Sequence, residues 1–317
     1  MNPRAGNDVS LIDYLLSRGW RPSRDYGREE VAGLCPLHRE TRPSFYVNRR
    51  KQVFYCHGCG RGGGIRQIRR WLEGGAWPTV QPEDTAGMFE QTYGFFERRL
   101  RGCPEARDYL RQRGIYDPDL IVRMRIGYAP GACLRAYLNR CGYRSAALRS
   151  AGLVDALGRD RLFRCVTFPL EEAASLYGRS IDGGYWRHRF LPHSKGGLYG
   201  WRRAQSYRSL IVVEGLFDLA ALWQAGFPQA VALLGSHASP EQMAQLEQRR
   251  SARVHVCLDA DANGAGQLAA QTLSERLRHA GVEALRVALP AGYDPASLFA
   301  AGASAQDFHR WLERARP

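Results

Sequence analysis

The sequence predicts an α/β chain of three segments: a small ribbon with paired cysteine and histidine ligands, a basic segment of mixed helices and strands, and a Rossmann-like segment built on a parallel sheet. Three observations predict it. Two pairs with two-residue spacers, Cys35-Pro-Leu-His38 and Cys56-His-Gly-Cys59, are separated by 17 residues. From Ser209 onward, short apolar runs alternate with stretches of helical periodicity, the pattern of βαβ units. The 45 Lys+Arg exceed the 31 Asp+Glu among 317 residues, and the surplus is unevenly placed.

Length and composition set the limits. A chain of this size suggests about two domains, and 44% hydrophobic residues exclude wholesale disorder, a collagen repeat and a disulfide miniprotein. No apolar run approaches the roughly 20 residues that cross a bilayer; the longest, Leu210–Phe227, is interrupted by Glu214 and Asp218. The polar start at Asn2, Pro3 and Arg4 carries no signal-peptide core, so a cytoplasmic protein with reduced thiols is expected. Residues 1–80 hold 14 bases and 7 acids, residues 85–205 hold 21 and 11, and residues 206–317 hold 10 and 11. A basic first two-thirds beside a near-neutral last third points to a polyanion held next to an acidic site.

The first segment, 1–77, begins with a helix at Leu11–Arg18 and ends with an amphipathic turn at Ile65–Leu72. Between them, each C-x-x-H or C-x-x-C knuckle turns two ligands toward one point, as a tetrahedral zinc ion requires. Phe45–Val47 and Gln52–Tyr55 read as a hairpin that joins the knuckles, with His57 pointing away or standing in as an alternative ligand. Nine bases and one acid lie between Arg39 and Arg70, interleaved with Phe45, Tyr46, Phe54 and Tyr55. Aromatics that stack bases beside cations that neutralise phosphates suit a single-stranded nucleic acid. The other cysteines (Cys103, Cys133, Cys141, Cys165 and Cys257) are scattered and read as small core residues.

The stretch Glu73–Asp84, with its glycines and two prolines, reads as a linker centred on 78–84. Residues 85–205 alternate helical patterns (Met88–Arg101, Glu105–Arg113, Leu134–Arg140) with short strands such as Arg164–Pro169. In 206–300 the expected strands are Leu210–Val213, Ala230–Leu234, Val254–Leu258 and Ala284–Leu289, with helices at Phe217–Ala225, Glu241–Arg249 and Ala265–Ala280; 301–317 is expected to form a C-terminal helix. Glu214-Gly-Leu-Phe-Asp218 follows the first of these strands, Asp259-Ala-Asp261 the third, and Asp294-Pro295 the fourth. In a parallel sheet the residues after the strand ends share one edge. Carboxylates crowded there repel one another, and a divalent cation with oxygen ligands, Mg²⁺ or Mn²⁺, relieves that repulsion.

These residues together resemble the DnaG-type bacterial primases. The segment around Cys35–Cys59 is similar to that family's CHC2 zinc ribbon. Arg125-Ile-Gly-Tyr-Ala-Pro130, Arg161–Leu170, Gly178-Arg179 and Lys195-Gly-Gly-Leu-Tyr-Gly200 are similar to its polymerase core. Glu214–Asp218, Leu234-Gly235-Ser236, Asp259–Gly264 and Asp294-Pro295 are similar to its TOPRIM fold. The resemblance implies a DNA-directed RNA polymerase of the primase type, making short RNA primers from ribonucleoside triphosphates on a single-stranded DNA template by two-metal nucleotidyl transfer. It implies one structural zinc on Cys35, His38, Cys56 and Cys59, and catalytic Mg²⁺ or Mn²⁺ on Glu214, Asp218, Asp259, Asp261 and Asp294, with Glu214, Asp259 and Asp261 at the centre. It assigns Arg125, Arg161, Arg179, Arg189 and Lys195 to template, product or triphosphate; Lys195 is one of only two lysines in the chain.

Two features depart from the family. Ala291 and Ala296 flank Asp294 where the family carries further acids, and, with Pro317 the last residue, the family's helical subdomain and helicase-binding domain are expected to be missing. The expectation is a short stand-alone primase of a plasmid, phage or integrative element, meeting any replicative helicase or replisome protein in trans. Two other readings use the same residues: a catalytically impaired zinc-bearing single-stranded DNA-binding protein, and a TOPRIM nuclease.

Overall fold

A computed structural model describes residues 9–25, 27, 29–38, 40–57, 61–73, 82–170, 174–183, 187–192, 195–249, 252–260 and 264–317. The chain divides into two compact units, residues 1–82 with 192–194, and residues 83–191 with 195–317. The linker expected at 78–84 meets a helix that already runs over Pro82–Arg101.

The first unit is a five-stranded antiparallel sheet in sequential order, Pro22–Asp25, Glu30–Gly33, Phe45–Asn48, Val53–Cys56 and Gly62–Gly63. The hairpin pairs Tyr46 with Tyr55 and Phe45 with Cys56. Period-two alternation then sends Phe45, Val47, Phe54 and Cys56 to the covered face. Leu11–Ser17, capped by Ser10 accepting from the Asp13 N–H, and Ile65–Leu72 supply the rest of a small core in which the Phe45 and Phe54 rings stack at 5.0 Å. The first strand was not legible, because Pro22–Asp25 is exposed along its whole length and has no apolar alternation.

The second unit holds two four-stranded sheets. One is antiparallel, in the order Gly127–Ala129, Cys165–Pro169, Leu176–Ser180 and His188–Phe190. The other is parallel, in the order Ala230–Ala232, Ser209–Val213, Arg253–Val256 and Ala284–Arg286. Ser209–Val213 therefore lies between strands that come before and after the chain's reversal, which makes the crevice at its carboxyl end the switch point of the sheet. Leu210 and Val212 face one core cluster, and Ile211 and Val213 another that runs under the antiparallel sheet through Val166, Phe168 and Phe217. Burial on both faces explains why these strands read as unbroken apolar runs.

Three of the four strands expected in this sheet are longer than the observed ones. Val254–Leu258 pairs as Arg253–Val256, and Ala284–Leu289 as Ala284–Arg286, because their last apolar residues turn into the site-bearing loops instead of continuing the ladder. The tail is two helices, Pro295–Ala300 and Ala305–Glu313, separated by a Ser304 cap that accepts from the Asp307 N–H. Phe308 is fully buried against Phe227, and the backbones of Arg286 and Arg316 pair through two hydrogen bonds of 2.6 and 3.1 Å. Among the described residues no helix is long and apolar enough to cross a membrane.

Helix Ala265–His279 starts directly beneath the Asp259 loop. A Cβ at Gly266 would lie 2.0 Å from the Asp259 carbonyl oxygen, so only glycine allows this approach. Gly266→Ala is expected to push helix and loop apart at a cost of about 1–3 kcal/mol, the range for overpacking, read as a lower urea midpoint. An unchanged midpoint would show that the close approach is not required.

Candidate functional site: an acidic sheet edge and a zinc ribbon

At the parallel sheet's edge, each carboxylate is placed by a separate backbone device. Glu214 follows the last residue of Ser209–Val213, and its carbonyl accepts the Gly235 N–H at 3.2 Å. Asp218 is the third residue of helix Leu216–Gln224 and is 5% exposed. Its Oδ2 accepts the Gly215 N–H at 3.2 Å, and its Oδ1 accepts the Ala296 N–H at 3.1 Å. The second bond ties the helix to the start of Pro295–Ala300. Asp294 caps that same helix, its Oδ1 accepting from the Ser297 N–H. Asp259 is drawn to the Asp294 loop by two backbone bonds, Ala260 N–H to Tyr293 O (3.1 Å) and Gly292 N–H to Ala260 O (2.7 Å).

Burial, then the negative charges of Asp294 and Asp259, push the Asp218 carboxyl well above the usual carboxylate range. Full burial, and then the same three aspartates, push the Cys257 thiol up. Asp218, Asp259 and Asp294 thus share one electrostatic neighbourhood, in which Asp218 has both oxygens on backbone donors, while the charge of Glu214 acts on Lys195. Asp261 lies outside the described residues. Among the described residues the carboxylates do not gather three ligand atoms on one point.

Lys195 lies beside this edge. Its Nζ donates to the Leu234 carbonyl at 2.9 Å and sits 4.1 Å from the Phe190 ring centroid. Leu234 holds a left-handed φ of +62° and Gly235 one of +153°, which turns the chain after Ala230–Ala232 back toward Glu214. Burial lowers the Lys195 pKa to about 8, and the charge of Glu214 opposes that fall.

The arginines separate into different roles. Arg125 is held within its own unit: it pairs with Glu90 and Glu97, both at 2.7 Å, and packs over Tyr93, three residues on one face of helix Pro82–Arg101. Arg161 and Arg189 meet at one loop, where an Arg189 N–H donates to the Arg161 carbonyl; burial and the Arg189 charge lower the Arg161 pKa. Arg179 donates to the Tyr109 hydroxyl at 3.2 Å and touches His188, which also contacts the Tyr177 hydroxyl at 2.7 Å. Loss of water around its ring, and then Arg179, Arg113, Arg187 and Lys195, lower the His188 pKa to about 4. Arg113 is the residue that sequence reasoning missed. It packs over Phe217 at 5.2 Å, and its charge opposes the rise of the Asp218 pKa. It sits in no motif, and only the fold brings it to the site.

In the ribbon, the ligand atoms of Cys35, His38 and Cys56 all lie within 4.8 Å of one another. His38 Nδ1 is 3.8 Å from Cys56 Sγ, close to the edge of about 3.5–3.8 Å expected for a tetrahedron with Zn–S near 2.3 Å and Zn–N near 2.0 Å. The Leu37 N–H points at Cys35 Sγ at 3.3 Å, which stabilises a thiolate. Three donors of this type and spacing fit zinc; Cys59 lies outside the described residues. His57 is exposed and packs edge-on against Tyr46 and Tyr55, at 5.1 and 4.9 Å, so it belongs to the open sheet face instead of the ligand set. Of the four aromatics singled out, Phe45 and Phe54 are core, and Tyr46 and Tyr55 are half-exposed. Of the scattered cysteines, Cys165 and Cys257 are buried and Cys141 is exposed.

Comparison with known proteins agrees with both parts. A CHC2 zinc finger family matches residues 23–77 and a Toprim-like family matches residues 211–299. The chain is 30% identical to a DNA primase of Aquifex aeolicus over 82% of its length and 59% of that protein's. It is 31% identical to a DNA primase of Deinococcus radiodurans over 87% of its length and 54% of that protein's. It therefore spans somewhat more than half of the curated relatives it matches. Among solved structures, the zinc-binding and RNA polymerase domains of the Aquifex aeolicus primase superpose with a TM-score of 0.66 at 26% identity, covering 97% of this chain and 83% of that one. A DnaG primase catalytic domain bound to ssDNA gives 0.62 at 26% identity, over 75% of this chain and 83% of that one.

Because a structural zinc supplies folding free energy to the unit that binds it, a strong chelator is expected to unfold the ribbon and leave the parallel sheet intact. Hydrogen exchange should show amides of Phe45–Asn48 and Val53–Cys56 losing protection while Ser209–Val213 keeps it. Equal protection before and after chelation would remove the zinc assignment.

Proposed function

We propose that this chain, which joins a CHC2 zinc finger to a Toprim-like domain as the DnaG-type primases do, is a nucleotidyltransferase that makes short RNA primers on single-stranded DNA. The observation that carries the reading is the set of carboxylates around one sheet edge, Glu214, Asp218, Asp259 and Asp294, with Lys195 beside them. Together with Asp261 these residues would hold Mg²⁺ or Mn²⁺. Such ions, when bound, supply Lewis acidity toward the attacking 3′-hydroxyl and the departing pyrophosphate. Glu214 and Asp259, at adjacent strand ends, are the direct ligands in this reading. Asp218 adds negative charge from behind, and Asp294 fixes the loop that faces Asp259.

The cations carry the substrate. Lys195 meets the nucleoside triphosphate as a point charge, and Arg179 and Arg113, gathered around His188, extend the positive surface for phosphates. Arg161 and Arg189 contact the DNA or RNA backbone. Arg125 acts by anchoring its loop to Glu90 and Glu97, since both its ionic contacts are intramolecular. In the ribbon, Tyr46, Tyr55 and His57 form one aromatic group on the sheet face opposite the core. Stacking of unpaired template bases there is worth about 1–3 kcal/mol per base.

Primer synthesis tests the reading. Purified chain, single-stranded DNA of mixed sequence, four ribonucleotides and Mg²⁺ or Mn²⁺ are expected to yield a ladder of short RNA. Asp259→Ala and Glu214→Ala should each lower synthesis by about 100- to 1000-fold, the equivalent of several kcal/mol of lost transition-state stabilisation, and leave DNA binding nearly unchanged. Tight binding without product at either metal would favour a DNA-binding protein. Shortened template would favour a nuclease.

A second expectation follows from Lys195. Its ammonium is present below about pH 8 and is lost as pH rises through that value. A bound triphosphate raises its pKa, so affinity for the nucleotide should be constant below pH 8 and fall above it. Fluorescence titration of a labelled nucleotide should show this decline in the natural chain and a flat profile in Lys195→Met. The same decline in both would place the titrating group elsewhere.

A further inference from the structure

The ribbon contains a carboxylate that no motif assigns. Between residues 39 and 70 nine bases accompany a single acid, Glu40, yet its ionic contact among the described residues is His38, not an arginine. Its side chain is only 11% exposed, and both oxygens are occupied. Oε1 accepts the backbone N–H of Cys35 at 2.6 Å and of Ser44 at 3.2 Å. Oε2 accepts the Ser44 hydroxyl at 2.5 Å and lies 3.2 Å from His38 Nε2. Ser44 Oγ in turn lies 3.2 Å from Cys56 Sγ, and the Ser44 carbonyl accepts the His57 N–H at 2.8 Å. One carboxylate thus reaches the backbone of the first ligand, the ring of the second and, through one hydroxyl, the sulfur of the third.

Burying an anion beside cysteines that must become thiolates is unfavourable on its face. Four donors offset that cost, and the arrangement explains what it achieves. A neutral imidazole carries its proton on one nitrogen and a lone pair on the other. With Nε2–H donated to Glu40, the lone pair belongs to Nδ1, the nitrogen that faces Cys56. We infer that Glu40 is a positioning residue of the zinc site: it fixes His38 in the Nε2-protonated form, so that Nδ1 binds the metal, and it locks the Cys35 knuckle to Ser44, at the start of the strand Phe45–Asn48 that pairs with the Cys56 strand. Outer partners of this kind typically contribute 10- to 100-fold in metal affinity.

The inference rests on the zinc reading of the ribbon and is independent of primer synthesis. The test uses the full zinc-loaded chain, a chromogenic zinc chelator as competitor, and ¹⁵N shifts of the histidine rings. Glu40→Gln keeps the size and removes the charge; it is expected to weaken zinc binding about 10- to 100-fold. Glu40→Asp should recover part of that loss. In the natural protein, His38 should show a metal-bound Nδ1 and a protonated, hydrogen-bonded Nε2, with the Nε2 proton shifting in Glu40→Gln. Natural zinc affinity in Glu40→Gln, or ligation through Nε2, would overturn the inference. The ring shifts of the natural chain decide the question even if the variant does not fold. Absence of zinc from the purified natural chain would instead remove the zinc reading itself.

Discussion

The second unit is organised around a buried carboxylate that repels its neighbours. Asp218 is 5% exposed, accepts backbone N–H groups from Gly215 and Ala296, and is pushed well above the usual carboxylate range by burial and by Asp294 and Asp259. Such a group is tolerated only where hydrogen bonds or a counter-charge repay its desolvation. Here one of those bonds also does topological work, because the Ala296 N–H joins helix Leu216–Gln224 to the start of helix Pro295–Ala300. The strand order, with Ser209–Val213 at the switch point, then brings Glu214 and Asp259 to the same edge. The acidity is therefore a property of the fold, and on the proposed reading a divalent cation relieves it.

The first unit meets a different constraint. Its core consists of a few side chains, Leu11, Leu15, Phe45, Val47, Phe54 and Ile68 chief among them, which is little for an independent unit. Cys35 and Cys56 are buried in that same cluster. On the zinc reading, metal binding and core formation are one event, and Glu40 connects them by bonding both the Cys35 backbone and the His38 ring. The opposite face of the sheet carries Tyr46, Tyr55 and His57.

Much of this was legible in the sequence, for physical reasons. Two-residue spacers force a knuckle, so the grouping of Cys35, His38 and Cys56 was readable from spacing. Unbroken apolar runs mark strands buried on both faces, so Leu210–Val213 and its neighbours were found, with ends displaced by one to three residues where the chain turns into the acidic loops. Residues that depend on long-range placement were not readable. Arg113 joins the site only because helix Leu216–Gln224 packs behind it, and Arg125 looks like any other basic motif residue until helix Pro82–Arg101 presents Glu90 and Glu97 to it. The strand Pro22–Asp25 escaped because four exposed residues carry no periodic signal.

The central claim is that the carboxylate edge holds divalent cations, and anomalous diffraction from crystals of the full chain grown with Mn²⁺ tests it most directly. Peaks are expected among Glu214, Asp259 and Asp294, absent in Asp259→Ala crystals grown the same way. A natural-chain crystal at saturating Mn²⁺ with no anomalous peak at this edge would contradict the account, whatever the ribbon binds.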